Sequence, residues 1–264
     1  MLDNITPEEK SYIIGFLQGD GHHRSESGNR GRIQIELSFR DKDILDKLSD
    51  VFNQLAIHVG RGERTRDTNF KKNFSASSLF LCDLELREEL REYVPIGKKS
   101  RNIKPPIDML GFNRYAYIRG LSDADGSLGM TGDNKPFWSL CTSSEYIKEF
   151  IISDIKKTLN FDKRLSRNKR DGVYNIVLYS EDAVIYTKML YGNTSLRLDR
   201  KYNKFCEIQK WVRTTTKRPG RKKSWLIYED KVVLSDNLSL KEKCVLLERS
   251  PSSVKTRFWR LRQK

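Results

Sequence analysis

Ile13-Ile14-Gly15-Phe16-Leu17-Gln18-Gly19-Asp20-Gly21 recurs 105 positions later as Ile118-Arg119-Gly120-Leu121-Ser122-Asp123-Ala124-Asp125-Gly126. Each copy opens onto alternating strand-like runs, an amphipathic helix, further strands and a last helix, so the repeated unit is about one small domain. Within each copy small residues stand four apart, Gly15 with Gly19 and Gly120 with Ala124. On a helix they form a stripe on one face, and such stripes let two backbones approach closely. Packed through these stripes, the helices bring Asp20 and Asp125 side by side, each followed by a glycine suited to ending a helix. A carboxylate at a helix C-terminus faces the negative end of the dipole, and a second carboxylate adds repulsion. A bound cation relieves both. Oxygen-only ligation suits Mg²⁺, with Mn²⁺ as a substitute, and a metal so held can activate water and stabilise a leaving oxygen in phosphodiester hydrolysis. A single Asp-Gly is most often a plain turn; recurrence of the whole nine-residue pattern favours function.

Working outward, Arg32-Ile33-Gln34-Ile35-Glu36-Leu37-Ser38-Phe39-Arg40 alternates strictly, which predicts a half-buried strand with Ile33, Ile35, Leu37 and Phe39 on the core face. Ile44, Leu48, Val51, Phe52 and Leu55 follow at helical spacing and can cover that face; Ile147, Phe150, Ile151, Ile155 and Leu159 do the same in the second unit. Strands are expected at Phe137 to Thr142 and Val173 to Tyr179, with a turn at Asp171-Gly172 joining a basic strand to the latter. The expected class is α+β: two αββαββα halves, residues 1–105 and 106–212. The polar faces then offer Arg32, Gln34, Glu36, Ser38 and Arg40 with Arg61, Arg64 and Arg66 in the first half. In the second they offer Ser139, Lys163, Arg164, Arg167, Asn168, Lys169 and Arg170. Arg and Gln read base edges well, although most protein–DNA hydrogen bonds go to the backbone.

Composition agrees. Fifty Lys and Arg against 35 Asp and Glu give a formal charge of +15 over 264 residues, a surplus that favours a polyanionic partner. No apolar run reaches 18 residues and the N-terminus is polar and acidic, so neither a membrane span nor a secretory signal is expected. The expected location is the cytoplasm or wherever the target DNA resides. Cys82, Cys141, Cys206 and Cys244 form no C-x-x-C pair, which argues against zinc and disulfides and predicts reduced residues, mostly in apolar surroundings. With three histidines in the chain, carboxylates must carry any chemistry.

The paired segments resemble the motifs of the LAGLIDADG homing endonucleases, in the form where one chain carries both halves. Leu121-Ser122-Asp123-Ala124-Asp125-Gly126 is the closer match; the first copy has Gln18-Gly19 where the family name spells Asp-Ala, but keeps the metal carboxylate as Asp20. The resemblance covers roughly residues 8 to 212. It implies a DNA-binding saddle of two antiparallel sheets, a monomer, and metal held by Asp20 and Asp125 with Gly19 and Ala124 in the site. It also implies double-strand cleavage across the minor groove at a long, specific site, with short 3′ overhangs. Similar enzymes place a lysine near the scissile phosphate after each unit's last helix, which points to Lys98 and Lys201, with Lys99 close behind. An intron maturase, which would bind intron RNA, and a non-catalytic DNA-binding regulator of the WhiA kind share this scaffold and are the alternatives.

Beyond a basic linker at 213–223, free of apolar residues and expected to be a flexible tether, residues 224–264 show a new pattern. Amphipathic stretches around Trp225, Val233 and Leu234, then around Leu240, Cys244 and Leu247, precede a helix that starts at Ser250-Pro251. This tail resembles a helix-turn-helix of the Myb or SANT kind, with Lys255, Arg257 and Arg260 as DNA-contact candidates on the third helix.

Overall fold

A computed structural model describes residues 1–25, 29–67, 72–97, 99–161, 165–213 and 225–262, with only the backbone at Ile227. Two compact units result, Met1–Val212 and Arg213–Lys264.

In the first unit, α1 (Pro7–Asp20) starts on a capping box between Thr6 and Glu9 with Pro7 in its first turn, and ends where the Gly21 amide donates to the Leu17 carbonyl. β1 (Gly21–Ser25), β2 (Gly31–Ser38), α2 (Lys42–Gln54), β3 (Val59–Arg66), β4 (Phe74–Leu81) and α3 (Leu84–Arg91) complete the first half. The second half holds α4 (Arg114–Asp125), β5 (Gly126–Met130), β6 (Pro136–Thr142), α5 (Glu145–Leu159), β7 (Tyr174–Tyr179), α6 (Ser180–Tyr191) and α7 (Asp199–Gln209). The first half is the expected αββαββα. The second departs from it: among the described residues no strand lies between α5 and the turn at Gly172, whose φ is +68°. Leu165 is the one apolar residue in the expected basic strand, so that segment has little core face to bury. Arg167 is instead fastened to the Ser143 and Gly172 carbonyls and stacks over Tyr174.

Both sheets are antiparallel, in the order β1-β2-β4-β3 and β5-β6-β7. Ile33 and Ile35 of β2 pair with Leu81 and Leu79 of β4, so these apolar residues share the face under the helices. Leu45, Leu48 and Phe52 of α2 and Ile147, Ile151 and Ile155 of α5 join the same core. α1 is buried almost all round because it is the centre of the unit: its stripe meets that of α4, where a Cβ on Gly15 would lie 2.3 Å from the Tyr117 carbonyl oxygen and one on Gly120 2.2 Å from that of Tyr12.

The second unit is three short helices, α8 (Ile227–Leu234), α9 (Leu240–Leu247) and α10 (Pro251–Arg262). Val233, Leu247 and Val254 form its small core, with Trp225, Leu240, Cys244, Phe258 and Leu261 packed around them. A buried ion pair between Glu229 and Arg249, at 2.9 Å, ties α8 to the connection before α10, and Arg249 stacks 3.9 Å from the Trp225 ring. The Ser253 amide donates to the Ser250 hydroxyl at the start of α10, as the sequence predicts. The cysteines are free, but Cys82 and Cys141 are exposed, against the expectation of apolar surroundings. No helix among the described residues is long and apolar enough to cross a membrane.

Candidate active site

The touching helices α1 and α4 end together. A Cβ on Gly19 would fall 2.3 Å from the Ala124 Cβ and 3.3 Å from an Asp125 carboxylate oxygen, so this glycine is what admits the second helix end. Asp20 is half-buried beside it and Asp125 reaches the surface. Loss of solvation, and next the Asp125 charge, push the Asp20 carboxyl up to about 6; loss of solvation also raises Asp125. Each helix end thus holds a carboxylate whose charged form is disfavoured by its surroundings.

Two buried lysines flank the pair. The Lys201 ammonium donates to the carbonyls of Ser122, Asp123 and Gly126 at 2.6, 2.7 and 2.8 Å. Lys99 donates to the carbonyls of Leu17 and Gly21, the repeat-related positions at the end of α1. Both ammonium groups therefore add a donor to carbonyls at a helix C-terminus, beside the Gly21 and Gly126 amides, and offset its dipole. Burial pulls Lys99 down to about 8 against the attraction of Asp125 and Asp20, and it lowers Lys201 as well. Lys98 lies outside the described residues. Lys99 is the residue whose place matches Lys201, and the doubled Lys-Lys of the sequence hid that choice.

Polar knots hold the helices in register. The buried Asp123 accepts from the Tyr12 hydroxyl (2.8 Å), the Tyr191 hydroxyl (2.7 Å) and the Leu198 amide (2.9 Å). Its repeat partner Gln18 donates to the Tyr93 and Lys104 carbonyls and accepts from the Tyr117 hydroxyl. Asp41 grips Arg200 in a two-point ion pair at 2.7 and 3.0 Å, joining the end of the first sheet to the residue before Lys201.

Among the described residues no group of three or more His, Cys, Asp and Glu is placed to hold a metal. Two carboxylates without nitrogen or sulfur partners fit a hard cation that keeps part of its water shell, with remaining positions left to water or substrate oxygen.

On the open face of the first sheet the register places Arg32, Gln34, Glu36 and Ser38 of β2 together with Arg64 and Arg66 of β3. Glu36 binds Arg64 at 2.5 Å and Arg66 at 3.0 Å. Two residues leave this set. Arg61 pairs with Leu79, which puts it on the helix side, where it binds Asp46 of α2 at 2.9 Å. Arg40 falls past the end of β2 in a 3-10 turn. Unforeseen on the open face are His22 and Arg24 of β1, and Phe80 of β4, with Arg32 stacked over its ring at 4.9 Å. Gly60 and Gly62 leave room for that ring. Strand parity, once β1 and β4 were placed, would have found all three.

The second sheet's open face carries Ser139 with Ser127, Phe137, Cys141, Asn175 and Val177, and among the described residues its strands place no basic residue there. Lys163 and Arg164 lie outside the described residues. Arg167, Asn168, Lys169 and Arg170 sit on the loop before β7 rather than on a strand; Arg167 is engaged as above and the Asn168 side chain caps the Arg170 amide. In the second unit Lys255 and Arg260 are exposed on α10, whereas Arg257 is held by Asp230 at 2.7 and 2.6 Å.

No protein-family model matches the chain, and no curated protein matches it in sequence. Among solved structures, the fold is similar to that of the homing endonuclease I-WcaI bound to its DNA recognition sequence, at TM-score 0.54 and 14% identity over 76% of this chain and 86% of that one. It is also similar to mesophilic variants from the homing endonuclease I-DmoI, at TM-score 0.51 and 15% identity over 72% of this chain and 98% of that one. Full-length DUF199/WhiA from Thermatoga maritima aligns over 98% of this chain and 93% of its own at 13% identity, with a TM-score of 0.47. At such identities the likeness to the first two is one of fold.

Proposed function

We propose that this chain is a site-specific, metal-dependent DNA endonuclease of the LAGLIDADG kind that hydrolyses both strands of a duplex. The observation that carries the reading is the meeting of Asp20 and Asp125 at the ends of two helices in direct contact, with Lys99 and Lys201 behind them. A helix end that gathers two carboxylates is disfavoured electrostatically unless a cation sits there. Asp20 and Asp125 would hold divalent metal, Mg²⁺ in our reading, beside the backbone of Gly19 and Ala124; bound there, the metal supplies water activation and stabilisation of the leaving oxygen. The fold similarity to DNA endonucleases supports the substrate class, as does the net charge of +15.

The chain's own residues have separable tasks in this scheme. Lys99 and Lys201, fixed by backbone carbonyls, keep positive charge next to the carboxylates and the approaching phosphate, where it stabilises developing negative charge. The open face of the first sheet, with its guanidinium groups and Gln34, lies along the duplex and supplies phosphate contacts and base readout. The halves 1–105 and 106–212 each take one side of the site, and the three-helix unit beyond the 213–223 linker adds DNA affinity as a helix-turn-helix.

The test is a plasmid library of candidate sites incubated with the protein and Mg²⁺, beside an Asp20→Asn, Asp125→Asn double variant. Linear product from the wild type alone is expected. Tight binding to one site by both proteins, with cleavage by neither, would replace the enzyme with a DNA-binding regulator. RNA-dependent splicing activity would mark a maturase.

A further inference from the structure

The chain beyond the active-site lysine differs between the halves. Lys201 lies inside α7, and the helix runs on from it. Past Lys99 the chain instead makes a turn, closed by the Asn102 amide on the Lys99 carbonyl at 2.9 Å. Between this turn, β1 and the connection from β6 to α5, a cleft of about 630 Å³ remains, lined by His22, Lys99, Ser100, Arg101, Asn102 and Ser143. No carboxylate lines it. The side chains of His22, Arg101 and Asn102 have no hydrogen-bond or ion-pair partner among the described residues. Lys99, whose ammonium donates to the carbonyl just before His22, connects the cleft to the carboxylate pair. At the position related to His22 by the repeat the second half has Ser127.

We propose that this cleft is a subsite for a phosphodiester group of DNA and that it serves one strand only; this rests on the endonuclease reading. Imidazole, guanidinium, amide and the Ser100 hydroxyl, with no acid among them, select an anion, the Ser143 hydroxyl being spent on the Ser100 carbonyl; the planar fork of Arg101 suits phosphate oxygens. The cleft is open, with His22, Ser100, Arg101 and Asn102 exposed along it, and wide enough for a phosphate and its flanking sugars to lie in it. The strand passing His22 gains donors that the strand passing Ser127 lacks, so the two cuts are unequal.

Inorganic phosphate, titrated into the full chain while the imidazole signals of His22, His23 and His58 are followed by NMR, tests the subsite itself. A saturable shift of His22, weakened in Arg101→Ala, is expected; movement of His22 no greater than that of exposed His58 overturns it. The DNA assignment is read from the target duplex labelled at either 5′ end. His22→Ser with Arg101→Ala should slow one strand about tenfold, the worth of one charge-assisted hydrogen bond, and leave the other within the error of the wild-type rate. Equal slowing of both strands, or of neither, overturns the one-strand assignment. A wild type that cuts neither strand sinks the endonuclease reading and the strand assignment with it, and phosphate binding at His22 then tells that failure apart from absence of the subsite.

Discussion

Gly120→Ala puts the contact between α1 and α4 to a direct test. The new methyl would lie 2.2 Å from the Tyr12 carbonyl oxygen and 2.7 Å from the Phe16 amide nitrogen, both backbone atoms that no rotamer change can move. Carbon–oxygen contacts close at about 3.3 Å, so the helices must part by about 1 Å. Alanine favours a helix by up to about 1 kcal/mol over glycine, while overpacking a dense core costs about 1–3 kcal/mol and sometimes more. Destabilisation by about 1–2 kcal/mol should therefore appear as a lower urea midpoint at an unchanged slope. Function should suffer more than stability, since a misplacement of about 1 Å at a reacting centre can cost roughly a hundredfold in rate. Gly132→Ala is the control, because a Cβ there meets nothing within 4 Å. A Gly120→Ala protein that unfolds at the wild-type urea concentration and linearises DNA at the wild-type rate would refute the claim that this crossing sets the site.

Other outcomes follow from the electrostatics. The raised Asp20 carboxyl, at about 6 against an ordinary 3.8, binds its proton more tightly when folded; its contribution is present below about pH 4 and lost as pH rises through 6, about 3 kcal/mol in all. In EDTA, wild type minus Asp20→Asn should show that loss in urea midpoints between pH 4.5 and 7.0, and Mg²⁺ should abolish it; a difference that is flat with pH in EDTA contradicts the burial of this group. Arg249→Met leaves Glu229 charged and buried, so the three-helix unit should loosen by about 3–5 kcal/mol, seen as rapid proteolysis within residues 225–262 while Met1–Val212 persists. Glu36→Gln frees Arg64 and Arg66 from their shared carboxylate. Non-specific duplex binding should tighten and its log–log salt slope steepen by about 1; an unchanged slope would show that neither arginine faces DNA.

Much of this was legible in the sequence, and the limits have physical causes. A nine-residue self-match at long separation needs no knowledge of packing, so the pairing of Asp20 with Asp125 and the role of Gly15 and Gly120 could be read directly. Strict alternation set the faces of β2 as far as Leu37 for the same reason, but Phe39, expected on the core face, lies past the strand in a 3-10 turn and is exposed. β3 has one apolar residue, Val59, and its side-chain parity comes from pairing with β4, so Arg61 could not be told from Arg64. That residues 165–170 form no strand, and that Lys99 takes the place matching Lys201, depend on what each segment meets across the fold. His22 was set aside with the other two histidines because so few could not carry the chemistry, and the cleft that gives it company is built from three separate segments.

The hydroxyl of Tyr12 reaches Asp123 and that of Tyr117 reaches Gln18, each crossing to the opposite half. Tyr12 and Tyr117 are repeat-related, as are Gln18 and Asp123. The seam therefore has the logic of a two-fold symmetric dimer written into one chain. Two copies of the first half would still find Tyr12 opposite Gln18 on both sides, and two copies of the second would find Tyr117 opposite Asp123. The latch is therefore common to both halves while its surroundings are not: two second halves would set Ala124 against Ala124 where Gly19 now leaves room, and would deprive the buried Arg119 of Glu8, which it binds across the seam at 2.8 Å.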